Sequence, residues 1–176
     1  MGTKKSLSKT YVISWYGPFH SIEETKDWLC QNDNIDCRLY LVQGKKPNAK
    51  NYSYYCGQTT RTVPERFNDK DHHIREIPNK RNIWIGAFGN RYNKEDIDIA
   101  ENMFIHLLSI ETNEQCINDR KRDFHSLDCN VFFVSKWNNP KRHCQSECSI
   151  KLLLPEVVVY FTDTDEVKTA KKLRYL

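Results

Sequence analysis

The sequence predicts an α+β fold: a small, mostly antiparallel β-sheet flanked by helices, with N- and C-terminal extensions. Three observations carry this. Segments 37–44 (CRLYLVQG) and 51–57 (NYSYYCG) are rich in β-favouring residues and are joined by a basic loop containing Pro and Asn, the pattern of a hairpin. Segment 93–109 (NKEDIDIAENMFIHLLS) places Ile97, Ala100, Phe104, Leu107 and Leu108 on one helical face. No internal repeat or low-complexity segment interrupts the chain, and 176 residues suffice for a single domain with a sizeable core.

The elements follow in chain order. Residues 10–19 (TYVISWYGPF) alternate as a strand does, with Gly17-Pro18 expected to end it. Ser21 followed by Glu24 reads as a capping box that opens a helix over SIEETKDWL, with Ile22, Trp28 and Leu29 as its apolar side. After the hairpin, TVPERFND starts a second helix, with Thr62 as N-cap and Pro64 in its first turn. NIWIGAFG (82–89) is a strand and precedes the long helix. CNVFFVSKW (129–137) is another strand, SIKLLLPEVVVYF (149–161) reads as one strand broken at Pro155, and EVKTAKKLRYL (166–176) leaves helix and strand open.

Composition narrows the function classes. An apolar fraction of 39%, with 4 Trp, 9 Tyr and 8 Phe, belongs to a folded globular chain rather than a disordered one. No apolar run approaches the roughly 20 residues that span a bilayer. The opening MGTKKSLSKTYV lacks the apolar stretch of a signal peptide, so a cytoplasmic protein with no membrane partner is expected. MGTKKS also fits a loose myristoylation pattern through Gly2 and Ser6. The net charge of +4 is a mild basic excess. Basic residues gather at 44–50, 79–81, 119–122 and 138–143; on one face they would track phosphates, and dispersed they would be solvated loops.

Seven cysteines, an odd count, argue against a disulfide framework. HCQSEC (143–148) offers His143, Cys144 and Cys148 to zinc, with His125 and Cys129 the nearest further candidates. A structural zinc site ordinarily repeats its close cysteine pair, and here one C-x₃-C stands alone. Glu101 falls at the margin of the apolar helical face. A carboxylate there loses hydration unless it reaches solvent or meets a metal or other cation.

In order along the chain, LYLV, YYCGQTT, the arginine of ERF, a pair of histidines, a strand and a helix bearing Glu101 resemble the GIY-YIG nuclease domain. The likeness covers about residues 38–120; each motif is short, and together they keep order and spacing. In that family two tyrosines sit on adjacent strands of a hairpin, an arginine and a histidine follow on the first helix, and a metal-binding glutamate comes from a later one. The resemblance puts Tyr40 and Tyr55 in the place of the two tyrosines, Gly57 in that of the second motif's glycine, Arg66 in that of the arginine and Glu101 in that of the metal ligand. LYLV lacks the glycine and isoleucine of the family's first motif. Lys70 stands where the histidine usually lies, so His72 is the first choice for that role, with His73 and Lys70 as alternates. The closing asparagine is Asn118 in CINDRKR, or else Asn113 in ETNEQC.

The resemblance implies a divalent-metal-dependent endonuclease that hydrolyses double-stranded DNA in a restriction or defence role, with Mg²⁺ or Mn²⁺ on Glu101. A hard cation that keeps several waters needs only one or two carboxylates. Arg66 would hold the scissile phosphate. Tyr40 would orient or deprotonate the water, once nearby charge lowered a phenol pKa of ~10. His72 would take the phenol's proton, Tyr55 would bind phosphate or water, and Gly57 would let the backbone approach. Cutting both strands needs two sites, so a homodimer on DNA is expected. The flanks, 1–37 and the β-rich 121–176, are natural places for DNA recognition, and LLLPEVVVYF resembles C-terminal extensions of some restriction-enzyme-like members. The alternative is a nucleic-acid-binding or regulatory module on the same fold with weak or no catalysis.

Overall fold

The computed structural model describes residues 8–89, 91–142, 144–145 and 150–170. Its elements are β1 (Ser8–Phe19), α1 (Ile22–Gln31), β2 (Cys37–Lys45), β3 (Ser53–Gln58), α2 (Val63–Phe67), β4 (Asn79–Phe88) and α3 (Lys94–Thr112). They continue with β5 (Asn130–Asn139), β6 (Cys144–Gln145), α4 (Ile150–Leu153), β7 (Val157–Phe161) and β8 (Glu166–Ala170). Short 3₁₀ turns occupy His73–Glu76 and Asn113–Gln115. The strands form one mixed sheet in the order β3-β2-β4-β1-β5-β7-β8, with β6 beside β5. Every pairing is antiparallel except that of β1 with β5. The α+β, mostly antiparallel architecture expected from the sequence is the one the chain adopts.

Segment 8–19 lies at the centre of this sheet, not at its periphery. Alternate side chains of β1 are buried, including Tyr11, Ile13 and Trp15, because the strand is paired on both edges and packed on its faces. Gly17-Pro18 does not end it: the strand runs on to Phe19, and the register against β4 shifts between Tyr16 and Phe19. The segment 150–161 is likewise not one strand. Leu154 N–H donates to the Ile150 carbonyl at 2.8 Å, closing a helical turn, and extended pairing resumes at Val157. Pro155, with no N–H of its own, separates the two conformations. EVKTA pairs antiparallel with β7 as β8.

Helices cover both faces of the sheet. On one, the five residues predicted to share a face of α3 are all buried against Trp15, Leu39, Leu41, Cys56 and Trp84. Trp15 stacks on Trp137 at 5.5 Å between ring centres and meets Phe104 edge-on at 5.3 Å. On the other face, Val63 and Phe67 of α2, with Trp28 and Leu29 of α1, pack over Tyr40, Val42, Tyr55, Ile83 and Ile85. β2 is therefore buried on both sides, which is why LYLV is apolar without alternation. Helix entry is set by capping. Ser21 Oγ accepts from Glu24 N, while Glu24 reaches back to His20 N at 2.6 Å rather than to Ser21. No helix among the described residues is long and apolar enough to cross a membrane.

Candidate active site

The β2–β3 hairpin pairs Tyr40 with Gly57 and Val42 with Tyr55, so both tyrosines project onto the α2 face. A Cβ on Gly57 would collide with the Tyr40 hydroxyl and ring, 2.6 Å from Cε2. The absent side chain thus makes room for the Tyr40 phenol on its neighbouring strand. Phe67 meets the Tyr40 ring edge-on at 5.0 Å, and the Tyr55 ring centre is 6.0 Å away.

His72, 2% exposed, caps the 3₁₀ turn at His73–Glu76. Its Nδ1 accepts from Ile74 N–H at 3.0 Å, and its Nε2 lies 3.0 Å from the Tyr40 hydroxyl. A ring nitrogen that accepts an N–H carries no proton. The neutral imidazole therefore holds its hydrogen on Nε2 and donates it to Tyr40, an assignment made from the bonding pattern. Burial above all, then the charges of Arg66 and His73, lower the His72 pKa to about 4, so the ring is neutral at physiological pH. The expected relay is thereby reversed: His72 supplies a hydrogen to the phenol oxygen and is not placed to remove one.

Tyr40, 1% exposed, has its pKa pushed well above the ordinary phenol value by burial first, then by Tyr55; Arg66 opposes this without prevailing. The lowering expected from nearby cations is outweighed by desolvation. Tyr40 accepts from His72, and Arg66 and Tyr55 lie close enough to act on its phenol electrostatically. Burial also raises the pKa of Tyr55, and Tyr40 and then Arg66 partly restore it. Of the alternates, His73 pairs with Glu76 at 2.5 Å and packs on the Tyr55 ring at 5.2 Å, while Lys70 is exposed on the turn after α2.

Arg66 is presented by α2, a five-residue helix whose Thr62–Glu65 capping box is complete in both directions. Its guanidinium is 35% exposed and donates to Asp69 Oδ2 at 2.5 Å. Arg61 donates to the same oxygen at 2.6 Å.

On the far side of β3, Gln58 Nε2 bridges Asp98 and Glu101, lying 3.1 Å from the Glu101 carboxylate. Lys121 Nζ sits 2.6 Å from Glu101 and 3.3 Å from Asp98. The cation that offsets the hydration lost by Glu101, 13% exposed, is therefore a lysine of the chain itself. Asn102, buried on α3, donates to the carbonyls of Lys121 and Asp123 at 2.8 and 3.0 Å and so anchors that lysine's backbone. Asp98 and Glu101 stand one turn apart and can offer two carboxylate oxygens, a donor set that suits a hard cation retaining its waters. No group of three or more His, Cys, Asp or Glu able to hold a metal occurs among the described residues.

Asn118 is buried, and its carboxamide is spent on the backbone. Oδ1 accepts from Cys56 N at 3.0 Å, and Nδ2 donates to Cys56 O at 2.8 Å. Ile117 N also donates to Tyr54 O at 2.8 Å, so this segment covers the outer edge of β3. Asn113 opens the 3₁₀ turn at Asn113–Gln115, and its side chain lies outside those described. His143 and Cys148 of the zinc candidate lie outside the described residues, as does the side chain of Cys144. His125 is exposed and Cys129 buried.

A cleft of about 220 Å³ joins the two halves of the site, lined by Gln58, Thr59, Thr60, Arg61, Arg66 and Lys94. A larger hollow of about 640 Å³ between α1, the start of β2 and α2 has a mainly apolar lining and meets this cleft at Arg61. Sequence reasoning missed Gln58, Arg61, Asp69, Lys94, Asp98 and Lys121. Gln58 and Arg61 had a signal, since both lie within YYCGQTTRTVPERF, and Asp98 precedes Glu101 by one turn. No protein-family model, curated protein or solved structure matches the chain.

Proposed function

We propose that the chain is a divalent-metal-dependent endonuclease of GIY-YIG type that hydrolyses DNA phosphodiester bonds, in a restriction or other defence role within the cytoplasm. One observation carries this reading. Tyr40, Tyr55, His72 and Arg66, drawn from a hairpin, a helix and a turn, meet beside a cationic cleft whose lining residue Gln58 contacts Glu101. Arg66 binds the scissile phosphate, because its planar donors match phosphate oxygens and its charge is permanent. Tyr55, whose ring packs beside Tyr40, donates to a phosphate oxygen or orients the attacking water. The rings of Tyr40 and His72 pack against Tyr55 and hold it in line. Neither phenol is a base near neutral pH, because burial raises both pKa values. Glu101, with Asp98, would hold a Mg²⁺ or Mn²⁺, which would supply Lewis-acid stabilisation of the phosphate and leaving oxygen.

The Lys121–Glu101 ion pair favours a second reading, a nucleic-acid-binding module in which an internal cation has taken the metal's place. Plasmid cleavage separates the two. Purified protein is incubated with Mg²⁺, Mn²⁺ or EDTA, beside Glu101→Ala and Arg66→Ala. Cleavage that needs metal and falls by roughly 100-fold or more in each variant is expected. Discrete fragments support restriction, and a smear supports a nonspecific nuclease. Binding without cutting hands the site to the second reading.

A further inference from the structure

The cleft that Arg66 lines carries more positive charge than one phosphodiester requires. Arg61, Arg66 and Lys94 line it, and Asp69 Oδ2 receives both guanidinium groups, at 2.6 and 2.5 Å. All three charged residues of the lining are cations. The loop that presents Arg61 is fixed by its backbone. Thr59 N donates to Arg38 O at 2.9 Å, Arg61 N to Thr59 Oγ1 at 3.0 Å, and Arg38 Nη1 to Thr60 O at 2.7 Å. Two planar guanidinium groups are thus anchored side by side on one oxygen, each with further donors to offer. The rest of the lining, Gln58, Thr59 and Thr60, is neutral.

We propose that this cleft seats two successive phosphates of one DNA strand: Arg66 takes the phosphate beside Tyr55, Arg61 and Lys94 take its neighbour, and Asp69 is the positioning residue that holds the guanidinium pair. The inference rests on the DNA reading above, and it concerns binding rather than cleavage. It adds a substrate contact on each side of Arg66 in the sequence, one from the loop before α2 and one from the first turn of α3.

The test is fluorescence anisotropy of a labelled DNA duplex with the full chain, in EDTA and across a NaCl series. Arg61→Gln and Lys94→Gln keep most of the side-chain stem and remove the charge. Each is expected to weaken binding several-fold and to lower the slope of log K against log salt by about one counterion. Lys168→Gln, on β8 at the opposite edge of the sheet, is the reference. An unchanged slope in Arg61→Gln and Lys94→Gln, or an equal fall in Lys168→Gln, overturns the second phosphate position. Asp69→Asn separates positioning from charge. Loss of a negative charge alone tightens DNA binding, whereas loss of the clamp weakens it, with recovery in Asp69→Glu. Tighter binding by Asp69→Asn removes the positioning role. A wild-type chain that binds duplex but leaves plasmid intact refutes the nuclease reading and spares this one; no binding to DNA refutes both.

Discussion

His72 sits with Nδ1 on the Ile74 N–H and Nε2 on the Tyr40 hydroxyl, and burial suppresses its protonation. That arrangement links the residue to stability. An unfolded histidine titrates near 6.5, whereas the folded one titrates at about 4. Between these values the unfolded chain binds a proton that the folded chain does not, so stability falls as pH drops from about 6.5 to about 4. Above that window there is no such loss, and below it the loss is complete, on the order of 3 kcal/mol. Arg66, His73, Asp69 and Arg75 face the ring as well and share in the electrostatics. Urea unfolding of wild type and His72→Gln at several pH values isolates the contribution. The wild type is expected to lose more stability than the variant across the window; equal losses would mean that His72 is protonated in the fold.

At the scale of elements, β3 depends on a segment more than fifty residues away for its outer edge. Asn118 reproduces with one side chain the donor and acceptor of a strand neighbour, satisfying both backbone groups of Cys56. Asn118→Ala leaves those groups unpaired in a buried setting, at a cost of about 1–3 kcal/mol. A lower urea midpoint with an unchanged m-value is expected, with Asn118→Asp falling between, since it retains the acceptor and loses the donor. A null effect would show that water replaces the carboxamide without loss. The same segment continues to Lys121, so the edge that supports Tyr55 and the cation beside Glu101 are positioned together.

For the whole molecule, the cleft joining Arg66 to the Glu101 side supplies one site per chain among the described residues, and under the proposed nuclease reading a double-strand break requires two. Sedimentation velocity with a short duplex is expected to give two chains per DNA, while plasmid cleavage passes quickly from supercoiled to linear. One chain per duplex, with nicked circles accumulating, would instead mark a nicking enzyme. In either case the central strand β1 ties the site to the rest of the sheet. It pairs with β4 of the hairpin side and with β5, from which β7 and β8 extend.

Much of this was legible locally. The hairpin followed from two β-rich runs around a turn-forming loop, the buried face of α3 from a helical period, and the start of α2 from Thr62 and Pro64. The order of tyrosines, arginine, histidines and glutamate was visible too, because each lies on an element whose type its neighbours dictate. What tertiary structure decided was which side chains meet and in what chemical state. Lys121 reaches Glu101 from twenty residues further along, β1 fills the centre of the sheet, and Ile150–Leu153 coils where an apolar run suggested a strand. The hydrogen bond between Tyr40 and His72 runs opposite to the expected direction for the same reason. Sequence period sets an element through neighbouring residues, but burial and hydrogen-bond direction, which determine where a proton resides, arise only when distant elements pack.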